Sequence, residues 1–323
     1  MLIIHAGFPK TGTTAFQIKL DYLRDQLRDV GIFYPVGQHE SGPATHHEYS
    51  LGITQKTATG EELALRLIAE MEQSQLPNTL ISSEAFTNCL SNRLRAEFCN
   101  FLTTLSNTTD VRLVLALRRM DSFMQSMYLH LAKVDEISIP VDEFLSTRWN
   151  WALNVFSALA EFQQNEVVQE IELIKYSSDP AFRAEIFRAL RLEDVQHLFG
   201  KNKKINVSLG YKAQAFLLFS AELCEKYCPD LDAAKVAMIV RAQVFQFEND
   251  LHDYSIIRHD DRIRLHQDAL NAAEETGITA YSTFFGDDIL TEKEHVELHK
   301  GALEPRDFQR LVDFMHSRPK TRK

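Results

Sequence analysis

The sequence predicts an α/β protein, a parallel sheet flanked by helices with a mainly helical C-terminal extension. Three observations carry this expectation: short apolar runs of strand length recur up to Ile174, segments with helical spacing lie between them, and each run ends where polar residues begin. Strands alternating with helices favour a parallel sheet with right-handed crossovers. In such sheets ligands lie at the carboxyl ends of the strands.

Taken in order, Leu2–Ala6 reads as the first strand. Thr14 to Val30 then places Phe16, Leu20, Leu23 and Leu27 on one helical face. Gly37 to Gly60 is polar, rich in Gly, Ser, Thr and His and without a clear period, so a long loop, functional or mobile, is expected there. Glu61 to Met71 repeats Leu63, Leu67 and Met71 at helical spacing. Thr79–Ser82, Val111–Leu117 and Glu170–Ile174 are the remaining strands, the last the least apolar. From Leu209 onward helical registers dominate, with Phe216, Leu217 and Leu223, then Val236, Val240 and Val244. A boundary near Lys201 divides a core, residues 1–208, from an extension, residues 209–323, that can share its domain.

Composition narrows the function classes. The chain has 323 residues, enough for a sizeable core, and a formal net charge of -10, which argues against nonspecific nucleic-acid binding. The four cysteines form no framework; Cys224 and Cys228 read as buried thiols, which fits a reducing compartment. The apolar start, Met1 to Ile4, is too short for a signal peptide, and no run approaches the roughly 20 apolar residues of a membrane span. A cytoplasmic location is therefore expected, and the sequons at Asn107 and Asn206 read as chance. Two further patterns are set aside. His295-Val296-Glu297-Leu298-His299 lacks the His-Glu-x-x-His order and reads as a solvated helix face, and His259-Asp260-Asp261-Arg262 reads as a charged turn.

The chemistry concentrates at the first strand's exit, Gly7-Phe8-Pro9-Lys10-Thr11-Gly12-Thr13-Thr14. A strand, a Gly-bracketed turn and a helix present backbone N–H groups and a positive helix end to phosphate. Gly7 and Gly12 permit close backbone approach, Thr13 and Thr14 offer hydroxyls, and Lys10 brings a mobile charge. The spacing is near that of a nucleotide-triphosphate P-loop, but Thr13 follows Gly12 where that motif has lysine. A P-loop kinase or NTPase, or a nucleotide-binding protein without turnover, remains an alternative.

Pro9-Lys10-Thr11-Gly12-Thr13-Thr14 with Gln17 resembles the 5'-phosphosulfate loop of sulfotransferases that use 3'-phosphoadenosine-5'-phosphosulfate (PAPS). The resemblance extends to the strand Val111–Leu117, followed by Arg118 and, eight residues on, Ser126, the pair that holds the cosubstrate's 3'-phosphate in that family. It runs from Met1 to about Ser208 and implies a P-loop-type fold, PAPS as cosubstrate, no required metal, and transfer of a sulfuryl group to a hydroxyl or amine. A saccharide or small metabolite is the expected acceptor. Arg119 rivals Arg118, because neighbouring residues on a strand point oppositely. Asp121 is placed to cap the next helix, with Ser122 and Ser126 one turn apart on it. The basic segment holding Lys201, Lys203 and Lys204 matches a family loop that closes over the 3'-phosphate, and equally reads as a solvated linker. Lys10 is the expected catalytic cation. The acceptor's proton needs a base, for which His47, Glu84 and His46 are the candidates in that order. His5 is expected to pack beside the first strand.

Overall fold

The protein is represented by a computed structural model. The structure describes residues 1–8, 13–38, 44–90, 94–133, 139–177, 180–199, 211–242, 245–247, 250, 254–288, 290, 293–295, 298 and 302–317. The chain opens with β1 (Leu2–Gly7), α1 (Thr13–Tyr22), α2 (Arg24–Asp29) and β2 (Ile32–Phe33). Helices α3 (His47–Thr54) and α4 (Gly60–Ser74) precede β3 (Asn78–Ser82), which runs into a 3-10 turn at Glu84–Leu90. Next come α5 (Arg95–Ser106), β4 (Val111–Leu117), α6 (Met120–Lys133), α7 (Val141–Gln164), β5 (Glu170–Lys175), α8 (Pro180–Ala189) and a second 3-10 turn at Glu193–Phe199. The remainder is α9 (Tyr211–Leu218), α10 (Ser220–Tyr227), α11 (Ala233–Arg241), β6 (Tyr254–Ser255), α12 (His259–Glu275), α13 (Thr279–Phe285), β7 (Glu294–His295) and α14 (Pro305–Ser317).

Five strands form one sheet in the order β2-β3-β1-β4-β5, every pair parallel. The α/β expectation is met. β1 lies at the centre, and the chain fills the sheet first on its β3 side and then on its β4 side. The carboxyl end of β1 is thus a topological switch point, the place where open α/β sheets bind ligands. The run Val-Arg-Leu-Val-Leu-Ala-Leu of β4 is nearly continuous in apolar residues, as suits a strand covered on both faces. Ile3, Leu80, Val114, Ala116 and Ile174 pack in one core with Phe16, Leu20, Leu23 and Leu27 of the segment that follows β1. Arg112 pairs in register with Glu170 and forms ion pairs with Glu170, at 3.0 Å, and with Glu172, fixing the β4–β5 alignment from the solvent side.

The chain divides into two compact units: residues 1–123, 148–205 and 266–288, and residues 124–147, 206–265 and 289–323. The sheet belongs to the first, which also recruits α13: the Tyr281 hydroxyl accepts from the Met120 N–H at 2.9 Å, and Asp288 meets Lys175 at 3.1 Å. The second unit is mostly helical. Its core gathers Phe216, Leu223, Cys224, Cys228, Val236, Val240, Phe308 and Leu311, and Lys212 is buried against Asp307 at 3.0 Å. All four cysteines are free thiols. Among the described residues no helix is long and apolar enough to cross a membrane.

Local elements depart from the sequence reading in five places. The helix expected over Thr14 to Val30 is two helices that break at Leu23 while keeping the apolar face. β2 is an extra, two-residue edge strand paired with β3. The expected loop from Gly37 to Gly60 contains α3, which buries Tyr49 and Ile53 one turn apart, an apolar pair too short to stand out as a period. The run from His259 begins α12 instead of a turn, because Asp260 and Asp261 in its first turn complement the positive helix end. His295 lies in β7 and not on a helix; Glu294 and His295 pair with Tyr254 and Ser255.

Helix α4 starts with a capping box, Thr59 and Glu62 each closing on the other's backbone N–H. Its first residue, Gly60, lies so close to α5 that an added Cβ would stand 2.0 Å from the Glu97 carbonyl oxygen and 2.8 Å from the Phe101 nitrogen. Alanine is ordinarily worth up to about 1 kcal/mol over glycine in a helix, whereas overpacking costs about 1–3 kcal/mol. Gly60→Ala is therefore expected to destabilise the protein, read as a lower midpoint in urea unfolding; a raised midpoint would contradict the close α4–α5 packing.

Candidate functional site

The site is built where β1, β3 and β4 end side by side. β1 stops at Gly7 and α1 begins at Thr13, so the motif spans a strand-to-helix junction that follows the central strand. Pro9, Lys10, Thr11 and Gly12 lie outside the described residues, as do the side chains of Thr13 and Thr14. Helix α1 has ten residues and no acidic side chain in its first turn, so its positive end is not offset locally. The exit of β1 is pinned: the Thr87 hydroxyl donates to the Gly7 carbonyl, the Phe8 N–H donates to Ala116 at 3.3 Å, and the buried Phe8 ring packs on Phe123 at 4.4 Å.

At the end of β4 the two arginines separate by partner. Arg119 is clasped by Asp121 at 2.7 and 3.2 Å and lies 3.7 Å from Asp288. Although burial works against its charge, the Asp121 carboxylate holds Arg119 above the usual arginine value. Asp121 thus serves Arg119 from within the first turn of α6 instead of capping that helix. Arg118 reaches the Ser122 hydroxyl with Nε at 3.3 Å and with a terminal nitrogen at 3.0 Å, and its guanidinium lies 5.3 Å from the Tyr176 ring centre. Burial pulls its pKa below the usual arginine value, as expected of a cation held away from water. Ser126 lies half-buried on α6, beyond the point where the second unit begins. Lys201, Lys203 and Lys204 lie outside the described residues.

At the end of β3, Ser82-Ser83-Glu84 gathers most of the remaining candidates. The Ser82 hydroxyl meets His5 Nδ1 at 2.8 Å and accepts from the Gln17 amide nitrogen at 3.0 Å, and that nitrogen also donates to Glu84 at 3.0 Å. The Ser82 main-chain N–H donates to His46 Nδ1 at 3.0 Å, which makes Nδ1 the acceptor and leaves Nε2–H to donate to the Pro35 carbonyl at 3.0 Å. Both nitrogens of His46 are spent on the backbone, and the ring is fully buried, as suits a structural histidine. His47 is half-buried at the start of α3, with Nδ1 2.6 Å from the Ser83 hydroxyl, which in turn lies 3.2 Å from Ser50 and accepts from the Ala85 N–H. Glu84 is half-buried as well. His5 is buried in β1, edge-on to Phe16 at 6.0 Å.

The structure therefore brings Gln17, Glu84, His46 and His47 to the end of β3 and puts Arg118 beyond β4, on the other side of β1. Ser82, Ser83 and Tyr176 are members of the site that sequence pattern does not single out. The first two directly precede Glu84 at a strand end, which was the available signal; Tyr176 follows β5 as Arg118 follows β4, a register visible only in the sheet. Among the described residues no group of three His, Cys, Asp or Glu is gathered for a metal. Comparison with family models, with curated proteins and with solved structures finds no match.

Burial dominates the chemistry of His5 and His46 and pushes both pKa values down to about 4. The unfolded chain titrates these rings near 6.5, so it binds more protons than the folded state as pH falls below that value. Stability from these rings is complete above about 6.5 and lost toward about 4, by about 3 kcal/mol for each ring. Unfolding free energy is expected to fall steeply across that window, with a shallower fall in His46→Asn than in the wild type. An equal slope in both would show that His46 is not buried neutral.

Proposed function

We propose that the protein is a PAPS-dependent sulfotransferase acting on a hydroxyl acceptor. One observation carries the reading above the others: Pro9 to Thr14 joins the carboxyl end of the central strand to the start of α1, while Arg118 leaves the adjacent strand two residues beyond Ala116, the partner of Gly7. A ligand with phosphate groups at two ends suits a positive helix terminus and a separate guanidinium. Arg118 fits a phosphate dianion because Ser122 and Tyr176 orient it, whereas Arg119 is neutralised by Asp121.

PAPS supplies a sulfuryl group already activated on a phosphate leaving group. The chain's own residues supply position and charge. Lys10 and the N–H groups at the start of α1 offset the charge that builds on the leaving oxygen. Arg118 fixes the orientation of the cosubstrate. Half-burial keeps Glu84 and His47 as the candidates for the acceptor's proton, while His46 is committed to the backbone.

Titration calorimetry with adenosine 3',5'-bisphosphate tests the assignment of the arginines. Hydrogen bonds to charged groups contribute about 1.5–3 kcal/mol, so Arg118→Ala is expected to weaken binding by about tenfold or more. Arg119→Ala is expected to lower the melting temperature with affinity nearly unchanged. The reverse pattern would refute the role given to Arg118. Lys10→Ala is expected to keep the fold, by circular dichroism, and to abolish sulfuryl transfer; undiminished turnover would exclude Lys10 from the chemistry.

A further inference from the structure

We propose that Gln17 is a positioning residue for the Glu84 carboxylate rather than a ligand of the cosubstrate, an inference that rests on the sulfotransferase reading above. Gln17 is fully buried, one turn into α1, and its amide nitrogen is shared between Ser82 and Glu84, each at 3.0 Å. An ionised carboxylate only accepts hydrogen bonds, so the NH₂ end must face Glu84 and the amide cannot be flipped without loss. With its donors on Ser82 and Glu84, the amide has no N–H left for a phosphate. Its oxygen is an acceptor, which a phosphate cannot satisfy, and it is buried without a partner among the described residues.

The other end of the array is rigid. The Ser82 hydroxyl is shared with His5 Nδ1, its N–H is fixed on His46, and its carbonyl accepts from the His46 N–H at 3.0 Å. His5, Ser82 and Gln17 are all buried, and Glu84 is the first member of the chain to reach solvent. A buried, prelocked donor therefore sets the direction of a half-exposed carboxylate, the arrangement that preorganises a proton acceptor. In the step assigned to it, the acceptor oxygen bonds to sulfur and its proton passes to Glu84. The bond from sulfur to the 5'-phosphate oxygen breaks, and the electron pair leaves with adenosine 3',5'-bisphosphate.

Water can stand in for the acceptor, so single-turnover release of inorganic sulfate from PAPS reads the step, and calorimetry with adenosine 3',5'-bisphosphate reads cosubstrate binding separately. General-base contributions are about 10²–10⁴-fold, and a loss of about 100-fold is expected for Glu84→Gln. Gln17→Ala is expected to slow release by about tenfold, short of the roughly 100-fold that a misplaced reacting group can cost, with nucleotide affinity within about twofold of wild type. The double variant is expected to be no slower than Glu84→Gln alone, because a positioning residue has nothing left to position. Ser82→Ala, which loosens the same amide from its other side, is expected to show the same non-additivity and carries the cycle if Gln17→Ala does not fold. Weaker nucleotide binding in Gln17→Ala, or losses that multiply in the double variant, would overturn the positioning role, as would a wild type that binds the nucleotide but releases no sulfate. A wild type that does not bind it would instead overturn the sulfotransferase reading itself.

Discussion

The parallel pairing of β1 between β3 and β4 is the constraint on which the rest of the structure depends. A central strand is hydrogen-bonded along both edges and covered on both faces, so chemistry falls to its ends, and in open parallel sheets to the carboxyl end. Fixing β1 in register with β3, His5 opposite Ser82, and with β4, Gly7 opposite Ala116, brings three chain exits together. From these exits come the α1 junction, the Ser82-Ser83-Glu84 array and the arginine pair. Weakening the pairing would separate all three at once.

The buried polar chain beneath the site is a liability that the fold offsets locally. His5, Ser82, Gln17 and His46 are fully buried, and a buried polar group without a partner costs about 1–3 kcal/mol. Most of these groups satisfy one another, and Ser82 alone accounts for four of the bonds. Such networks specify a single geometry because breaking any member orphans its neighbours. That rigidity lets a half-exposed carboxylate and a half-exposed imidazole be held at fixed positions by hydrogen bonds and packing.

Much of this was legible in the sequence where local pattern and burial agree. Val111–Leu117 is apolar enough to read as a buried strand on sight and occupies those residues in the fold. The P-K-T-G-T-T motif announced a strand-to-helix turn, and the helix begins within it at Thr13. What escaped depends on contacts made across the fold. Helix α3, His-Glu-Tyr-Ser-Leu-Gly-Ile-Thr, has an apolar face of only Tyr49 and Ile53 and contains a glycine; it is held by those two side chains in the core and by His47 and Ser50 on Ser83. β2 is two residues long and exists through its pairing with β3. That Asp121 clasps Arg119 was also outside local pattern, which does not encode that geometry. The return of residues 266–288 to the sheet-bearing unit, through Tyr281 and Asp288, was equally invisible in local pattern.

On the proposed reading, the end of β1 suits a nucleotide with phosphate at both the 3' and 5' positions. The most direct measurement compares the rise in melting temperature given by adenosine 3',5'-bisphosphate with that given by ATP and Mg²⁺ at equal concentrations. Stabilisation by a ligand grows with concentration over dissociation constant, so a larger rise with the bisphosphate is expected. A larger rise with ATP and Mg²⁺, or none with either, would contradict the account.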